Sequence, residues 1–286
     1  MNKLPKLAVL GLAISFLAIA IGCLFAINSC AMNSHDEPIN NDNNTDDSTN
    51  NEGYYEKNNL DEVILPEGLS EQIKEYAGFT VSFNKDNHTP NYVTWELLGS
   101  EVSGDYDRSD YFWQDNDIIG CPAYKDYTNS GYDRGHMCPA ADQKWSEQAM
   151  WDSFVMANMC PQIHDLNAGA WLTLENKERQ WAKRDSAIYI IAGPIYEGNA
   201  QKRIGNVGVR VPDGFFKVFL APYIQKPRAI AFVYPNQPAP GNMQSYAMSV
   251  DDLEEILGFD FFSALPDSIE NKIESKFSFT EWNSSK

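Results

Sequence analysis

Tyr132-Asp133-Arg134-Gly135-His136-Met137 is the stretch from which the rest of this sequence is read. Asn158, Asn167, Glu175 and Arg179 follow it, so an imidazole, guanidinium groups, two carboxamides and a carboxylate fall within a short span. Arg134 can neutralise a phosphate, and His136 can take a proton from water near neutral pH. Amide and carboxylate oxygens suit a hard divalent ion. A hydrated cation beside a general base is the minimum that phosphodiester hydrolysis requires.

Working outward, Asn129-Ser130-Gly131 is a turn signal leading into a short strand that carries His136. Arg134 and His136 are two apart, so an extended backbone turns both to one face. A guanidinium beside an imidazole disfavours the protonated ring and helps His136 remain a neutral base. Residues 154–159 read as a second strand, broken by Pro161, with Asn158 placed to fix the imidazole or the waters of a metal. A helical pattern then opens at Asn167 and runs to about Arg184, with Trp171, Leu174 and Trp181 as its apolar positions. Glu175 and Arg179 are four apart on it, which is also the spacing of an ordinary surface ion pair. Asn167 and Glu175 are eight apart, about 12 Å along a regular helix. Unless the helix bends, that spacing gives one direct metal ligand, Asn167, with Glu175 acting through bound water. Magnesium suits this, because it gives up water reluctantly and takes few protein ligands.

Residues 79–83, 92–98, 187–192, 207–211, 215–220 and 229–234 are further predicted strands, and 251–257 is a short helix with an acidic first turn. Strands and helices mix without βαβ alternation. The expected class is therefore α+β, with a central, largely antiparallel sheet and flanking helices.

The net charge of −18 sits badly with contact to a polyanion. Much of it is local: residues 33–62 carry nine acidic side chains against Lys57 alone. Arg134, Lys144, Lys177, Arg179, Lys183 and Arg184 concentrate instead around the proposed chemistry. The balance predicts weak, salt-sensitive, transient substrate contact, suited to turnover and not to tight duplex binding. At the N-terminus, Lys3 and Lys6 precede an apolar run over residues 7–27, long enough to span a hydrocarbon core. Its length favours an uncleaved anchor over a cleavable signal. Ala20-Ile21-Gly22-Cys23 and, less well, Asn28-Ser29-Cys30 resemble bacterial lipoprotein processing sites. Residues 1–32 are thus expected to be a membrane anchor or lipoprotein signal, and 33–59 a disordered, acidic Asn/Asp-rich tether. Residues 60–286 are expected to be one catalytic domain held outside the cytoplasm.

Asp133-Arg134-Gly135-His136, then Asn158-Met159-Cys160-Pro161-Gln162, then Asn167, Trp171, Glu175 and Arg179 closely resemble the DNA/RNA non-specific endonuclease family. Segments similar to that family's also occur at residues 108–118, 191–195 and 257–262, so the resemblance covers about residues 79–277. It implies a ββα-metal active-site finger and a Mg2+ cofactor, with Mn2+ able to substitute. It implies His136 as general base, Asn167 as direct metal ligand, Glu175 as holder of the metal's waters and Asn158 as a supporting residue. Arg134, together with Arg108 and Arg179, would bind substrate phosphates. The implied reaction is cleavage of DNA and/or RNA with little sequence preference, leaving 5′-phosphate and 3′-hydroxyl ends.

Two rivals compete for some of these residues. His136, Cys138, Cys160 and His164 are the ligand types of structural zinc, although His-x-Cys and Cys-x3-His are awkward chelate spacings. A Cys138–Cys160 disulfide is the other expectation, if the two strands pair in an oxidising compartment; with Cys121 in the same body, connectivity stays open. The alternative function is a surface lipoprotein that binds nucleic acid without cutting it. A base and a metal ligand standing together argue against that.

Overall fold

Side chains alternate across a β-strand, so a strand buried on both sides can feed two separate cores. That is the plan of this molecule. The computed structural model describes residues 60–198 and 202–284. The expected anchor and tether, with Cys23 and Cys30, lie outside the described residues.

The strands, in chain order, are β1 (Val63–Ile64), β2 (Gln72–Glu75), β3 (Thr80–Asn84), β4 (Thr89–Leu98), β5 (Asp133–His136), β6 (Met159–Gln162) and β7 (Ala187–Ile195). They continue as β8 (Arg203–Ile204), β9 (Val209–Arg210), β10 (Gly214–Ala221), β11 (Arg228–Pro235), β12 (Ala247–Met248) and β13 (Asp260–Phe261). The α-helices are α1 (Glu147–Ser153), α2 (Leu172–Asp185), α3 (Val250–Leu257), α4 (Asp267–Glu274) and α5 (Phe279–Asn283). Seven strands form one sheet in the order β12-β11-β10-β7-β4-β3-β2, antiparallel at every pairing. The fold is α+β with an antiparallel sheet, as the sequence leads one to expect.

Alternation in β7 shows how the faces divide. Ile190 and Ala192 enter one core with Trp181, Phe215, Phe219 and Phe232. Ile191 and Ile195 enter a second with Phe216, Val218, Leu253 and Phe261. The first face carries α2 and the ribbon of β5 and β6; the second carries α3, α4 and the β1–β13 pair. Among the described residues no helix is long and apolar enough to cross a membrane.

Three elements depart from the sequence expectation. Of the strand expected over residues 207–211, only Val209–Arg210 is a strand, because Val207 and Gly208 belong to the turn before it. The strand expected over residues 154–159 begins only at Met159, after a 3-10 turn over Met156–Asn158, and it runs through Pro161 instead of ending there. Proline is tolerated because each strand of a two-stranded ribbon is an edge. The helix expected from Asn167 opens as a wide π turn, Leu166–Trp171, with Gly169 at φ −110° and ψ −107°, before α2 runs on regularly. Nor is there a Cys138–Cys160 disulfide: Cys121, Cys138 and Cys160 are all free and buried.

A buried charge pair fixes α2 to the sheet. Lys217 on β10 donates from Nζ to Glu178 Oε2 at 2.9 Å, and both side chains are fully buried. The ammonium lies 4.7 Å from the Trp171 ring centroid and 5.3 Å from that of Trp95. Arg179, the next residue, donates to Asp142 Oδ1 at 2.7 Å, while Asp142 Oδ2 accepts from Trp95 Nε1 at 3.1 Å. Removing one partner of such a pair strands a charge in low dielectric. Lys217→Ala is therefore expected to lower the free energy of unfolding by about 3–5 kcal/mol, and Lys217→Met with Glu178→Leu by clearly less. Urea denaturation measures both, and equal losses in the two variants would sink this account of the pair.

Candidate active site

The ribbon places the imidazole. β5 pairs antiparallel with β6, setting His136 opposite Met159 and Asp133 opposite Gln162. Between them Gly135 lies so close to β6 that a Cβ there would come within 2.3 Å of Gln162 Oε1. Trp171 Nε1 donates to the His136 carbonyl at 3.3 Å, which ties the start of α2 to the strand. A cleft of about 410 Å3 opens at this junction, with Arg108, Phe112, Arg134, His136, Asn167 and Glu175 among its lining residues.

His136 is only 9% exposed. Its ring packs edge-on to Phe154 (centroids 5.0 Å apart) and tilted against Phe112 (5.8 Å). Burial pushes the imidazole down to about 3, the Arg108 and Arg134 guanidiniums push the same way, and a backbone hydrogen bond with Arg134 opposes them. The ring is therefore neutral at physiological pH, and its Nε2 has no hydrogen-bond partner. An anion entering the cleft offsets both guanidiniums and draws the ring back towards a more basic range.

Glu175, one turn into α2, is also buried. Burial pushes its carboxyl up to about 7 against the pull of Lys217, and no hydrogen bond or ion pair holds it among the described residues. Asn167 sits in the π turn, where Nδ2 donates to Asp133 Oδ2 at 2.9 Å and leaves the amide oxygen free. A π turn stands where a regular helix was expected, and Asn167 and Glu175 line the same cleft. A freed amide oxygen and a desolvated carboxylate without a partner fit a hard divalent cation.

The two cleft arginines are held by aromatic rings. The Arg134 guanidinium stacks 4.1 Å from the Tyr124 centroid and 4.9 Å from that of Phe112, and its Nε is buried without a partner. Arg108 lies 4.9 Å over Phe154, with more than half of its side chain exposed. Both can present N–H donors to an oxyanion while the rings keep water from their faces.

A family model described as DNA/RNA non-specific endonuclease matches residues 56–268. The chain belongs to that family. The endonuclease is 32% identical over 238 residues to a mitochondrial nuclease EXOG of Danio rerio, covering 74% of this chain and 69% of the relative. It is 33% identical over 213 residues to a nuclease of Nostoc sp., covering 69% and 76%. Among solved structures, the EndoG/EndoGI complex aligns with a TM-score of 0.66 and 28% identity over 68% of this chain and 87% of that one. β5, β6 and α2 are the ββα-metal finger. The protein is thus a non-specific DNA/RNA endonuclease of a metal-dependent family, and neither the non-cutting lipoprotein nor the zinc domain is favoured.

Other expected residues of the endonuclease lie elsewhere. Arg179 is not brought to the cleft; its guanidinium is committed to Asp142 and to Asn176 Oδ1 (2.8 Å), whereas Arg108 and Arg134 line the cleft. Nor does Glu175 make the surface ion pair with Arg179 that their spacing allows. Asn158 is fully buried behind the strand, not facing the substrate space. Its Oδ1 accepts from Cys138 N, and its Nδ2 donates to Cys138 O and Ser153 O, each at 2.9 Å. The zinc set does not assemble among the described residues. Cys138 Sγ instead accepts from Gln143 Nε2 at 3.2 Å, and His164 sits exposed, 2.8 Å from Asp133. Asp133 is the residue whose role sequence reasoning missed: it orients Asn167, and its place in the quoted motif was the available signal.

Asn158 thus braces the backbone two residues beyond His136. Asn158→Ala leaves three buried backbone groups without partners and is expected to lower the unfolding free energy by about 2–4 kcal/mol. A wild-type urea midpoint for this variant removes the bracing role.

Proposed function

We propose that this chain is a Mg2+-dependent, membrane-tethered nuclease in which His136 Nε2 removes the proton of an attacking water. The observation that carries the reading is that buried, unpartnered nitrogen lining the same cleft as Asn167 and Glu175. Attack in line with the 3′ oxygen leaves 5′-phosphate and 3′-hydroxyl ends. Asn167, turned by Asp133, and Glu175 would hold the cation. When bound, Mg2+, or Mn2+ in its place, supplies positive charge against the phosphate and the leaving oxygen. Arg134 and Arg108 take the non-bridging phosphate oxygens, and their ring contacts fix the guanidinium planes before substrate arrives. Contacts to phosphate and not to base edges support low sequence preference.

The leader supports an extracytoplasmic body. Its apolar run carries no arginine, unlike an Arg-rich mitochondrial transit sequence, although several relatives are mitochondrial. The tether is an uncleaved anchor or a lipid on Cys23 or Cys30, and the mass of the mature N-terminus distinguishes them.

The full chain in detergent is expected to nick plasmid with Mg2+ and to stop with EDTA. His136→Ala should lose about 10²–10⁴-fold in turnover while still unfolding cooperatively. Rates within a few-fold of wild type would falsify the base assignment.

The metal requirement carries a pH signature. Glu175, raised to about 7 in the fold, holds a proton below that pH, and the proton must leave before a cation binds. As pH falls below 7, apparent Mg2+ affinity is expected to weaken about tenfold per unit, and Glu175→Gln should remove most of that slope. A metal requirement that stays flat across the acid range takes Glu175 out of the metal site.

A further inference from the structure

On the sheet face that carries α3 and α4, away from the cleft, Asp251 and Glu254 stand one turn apart on α3 and meet Glu274 at the end of α4. One carboxylate oxygen from each lies within 4.8 Å of the other two. Asp260 and Glu270 flank the group, and the largest side-chain charges acting on Glu254 and Glu274 are other carboxylates. Clusters of exposed acids are commonplace and signify little. This one differs in its innermost member: Glu274 is only 3% exposed, and its Oε1 is buried with no hydrogen-bond partner. Glu254 is oriented as well, because its Oε1 accepts from Phe261 N at 2.7 Å. A buried carboxylate with an oxygen that no donor meets, placed beside two further carboxylates, costs free energy unless something positive joins it.

We propose that Asp251, Glu254 and Glu274 bind a calcium ion that ties α3 to α4. Ligand chemistry favours calcium: Ca2+ takes about six to eight oxygens in flexible geometry, whereas Mg2+ demands a near-ideal octahedron and gives up its water reluctantly. Calcium also accepts irregular carboxylate geometry and fills its remaining positions with water or carbonyl oxygens. The site's role is structural. α3 and α4 pack with Val63 of β1 and Phe261 of β13 in the second core, so the ion holds the C-terminal helices over the sheet.

The test is thermal unfolding of the full-length protein in detergent, stripped with EDTA and titrated with CaCl2. It is run both in wild type and with Asn167→Ala and Glu175→Gln, so that the nuclease's own metal site does not contribute. Millimolar Ca2+ is expected to raise the melting temperature by about 5 °C in both backgrounds. Glu274→Gln and, separately, Asp251→Asn should each lose most of that rise, and Glu274→Gln without calcium should melt no lower than its parent. MgCl2 at the same concentration should give less than half the shift. No shift with Ca2+, an undiminished shift in both variants, or an equal shift with Mg2+ overturns the proposal. If Glu274→Gln does not fold, Asp251→Asn decides.

Discussion

Beneath the cleft, three carboxylates face two cations, and the rest of the active site follows from how they pair. Lys217 takes Glu178, and Arg179 takes Asp142. Glu175 is the acid left over, buried one turn earlier on the same helix. The pairs that clamp α2 against β10 and β4 thereby leave an uncompensated carboxylate lining the cleft. Stability and function draw on the same residues here. A buried ion pair contributes little net stability by itself, but it strongly penalises arrangements in which either partner is unpaired. The register of α2 on the sheet is thus specified more sharply than apolar packing alone would specify it.

The other half of the site is set by desolvation. Phe112 and Phe154 wall in the His136 ring, and the same two rings carry the Arg134 and Arg108 guanidiniums. One aromatic layer therefore keeps the imidazole neutral, leaves its Nε2 without a competing donor, and holds two cations at the cleft. Burial and those two positive neighbours hold the ring's basicity down. In the proposed mechanism a substrate phosphate would relieve the two charge effects and raise it again.

Much of this was legible in the sequence, and the reason is local. Strands β3, β4, β7, β10 and β11 announce themselves as apolar runs bounded by turn residues, and the antiparallel class follows from their lack of βαβ order. His136, Arg134, Asn167 and Glu175 were legible as types at a spacing, and all four do line one cleft. Less visible were departures from regular geometry. Pro161 reads as a strand breaker, yet an edge position accommodates it; Gly169 reads as helix, yet it permits the π turn that brings Asn167 beside Asp133.

What sequence determined unaided was the inventory and its periodicity: which residues can do chemistry, and which face of a strand or helix each occupies. What only the tertiary structure decided was partnership. Nothing local separates Arg179, drawn inward by Asp142, from Arg134, held outward by Tyr124 and Phe112. Nothing near Lys217 foretells Glu178, 39 positions away. Asn158 reads as a supporting residue of the site, and only the fold shows that its amide holds the backbone at Cys138. The physical reason is that a charge or amide taken out of water must find its partner within a few ångströms, and the packing of whole elements selects which one is there.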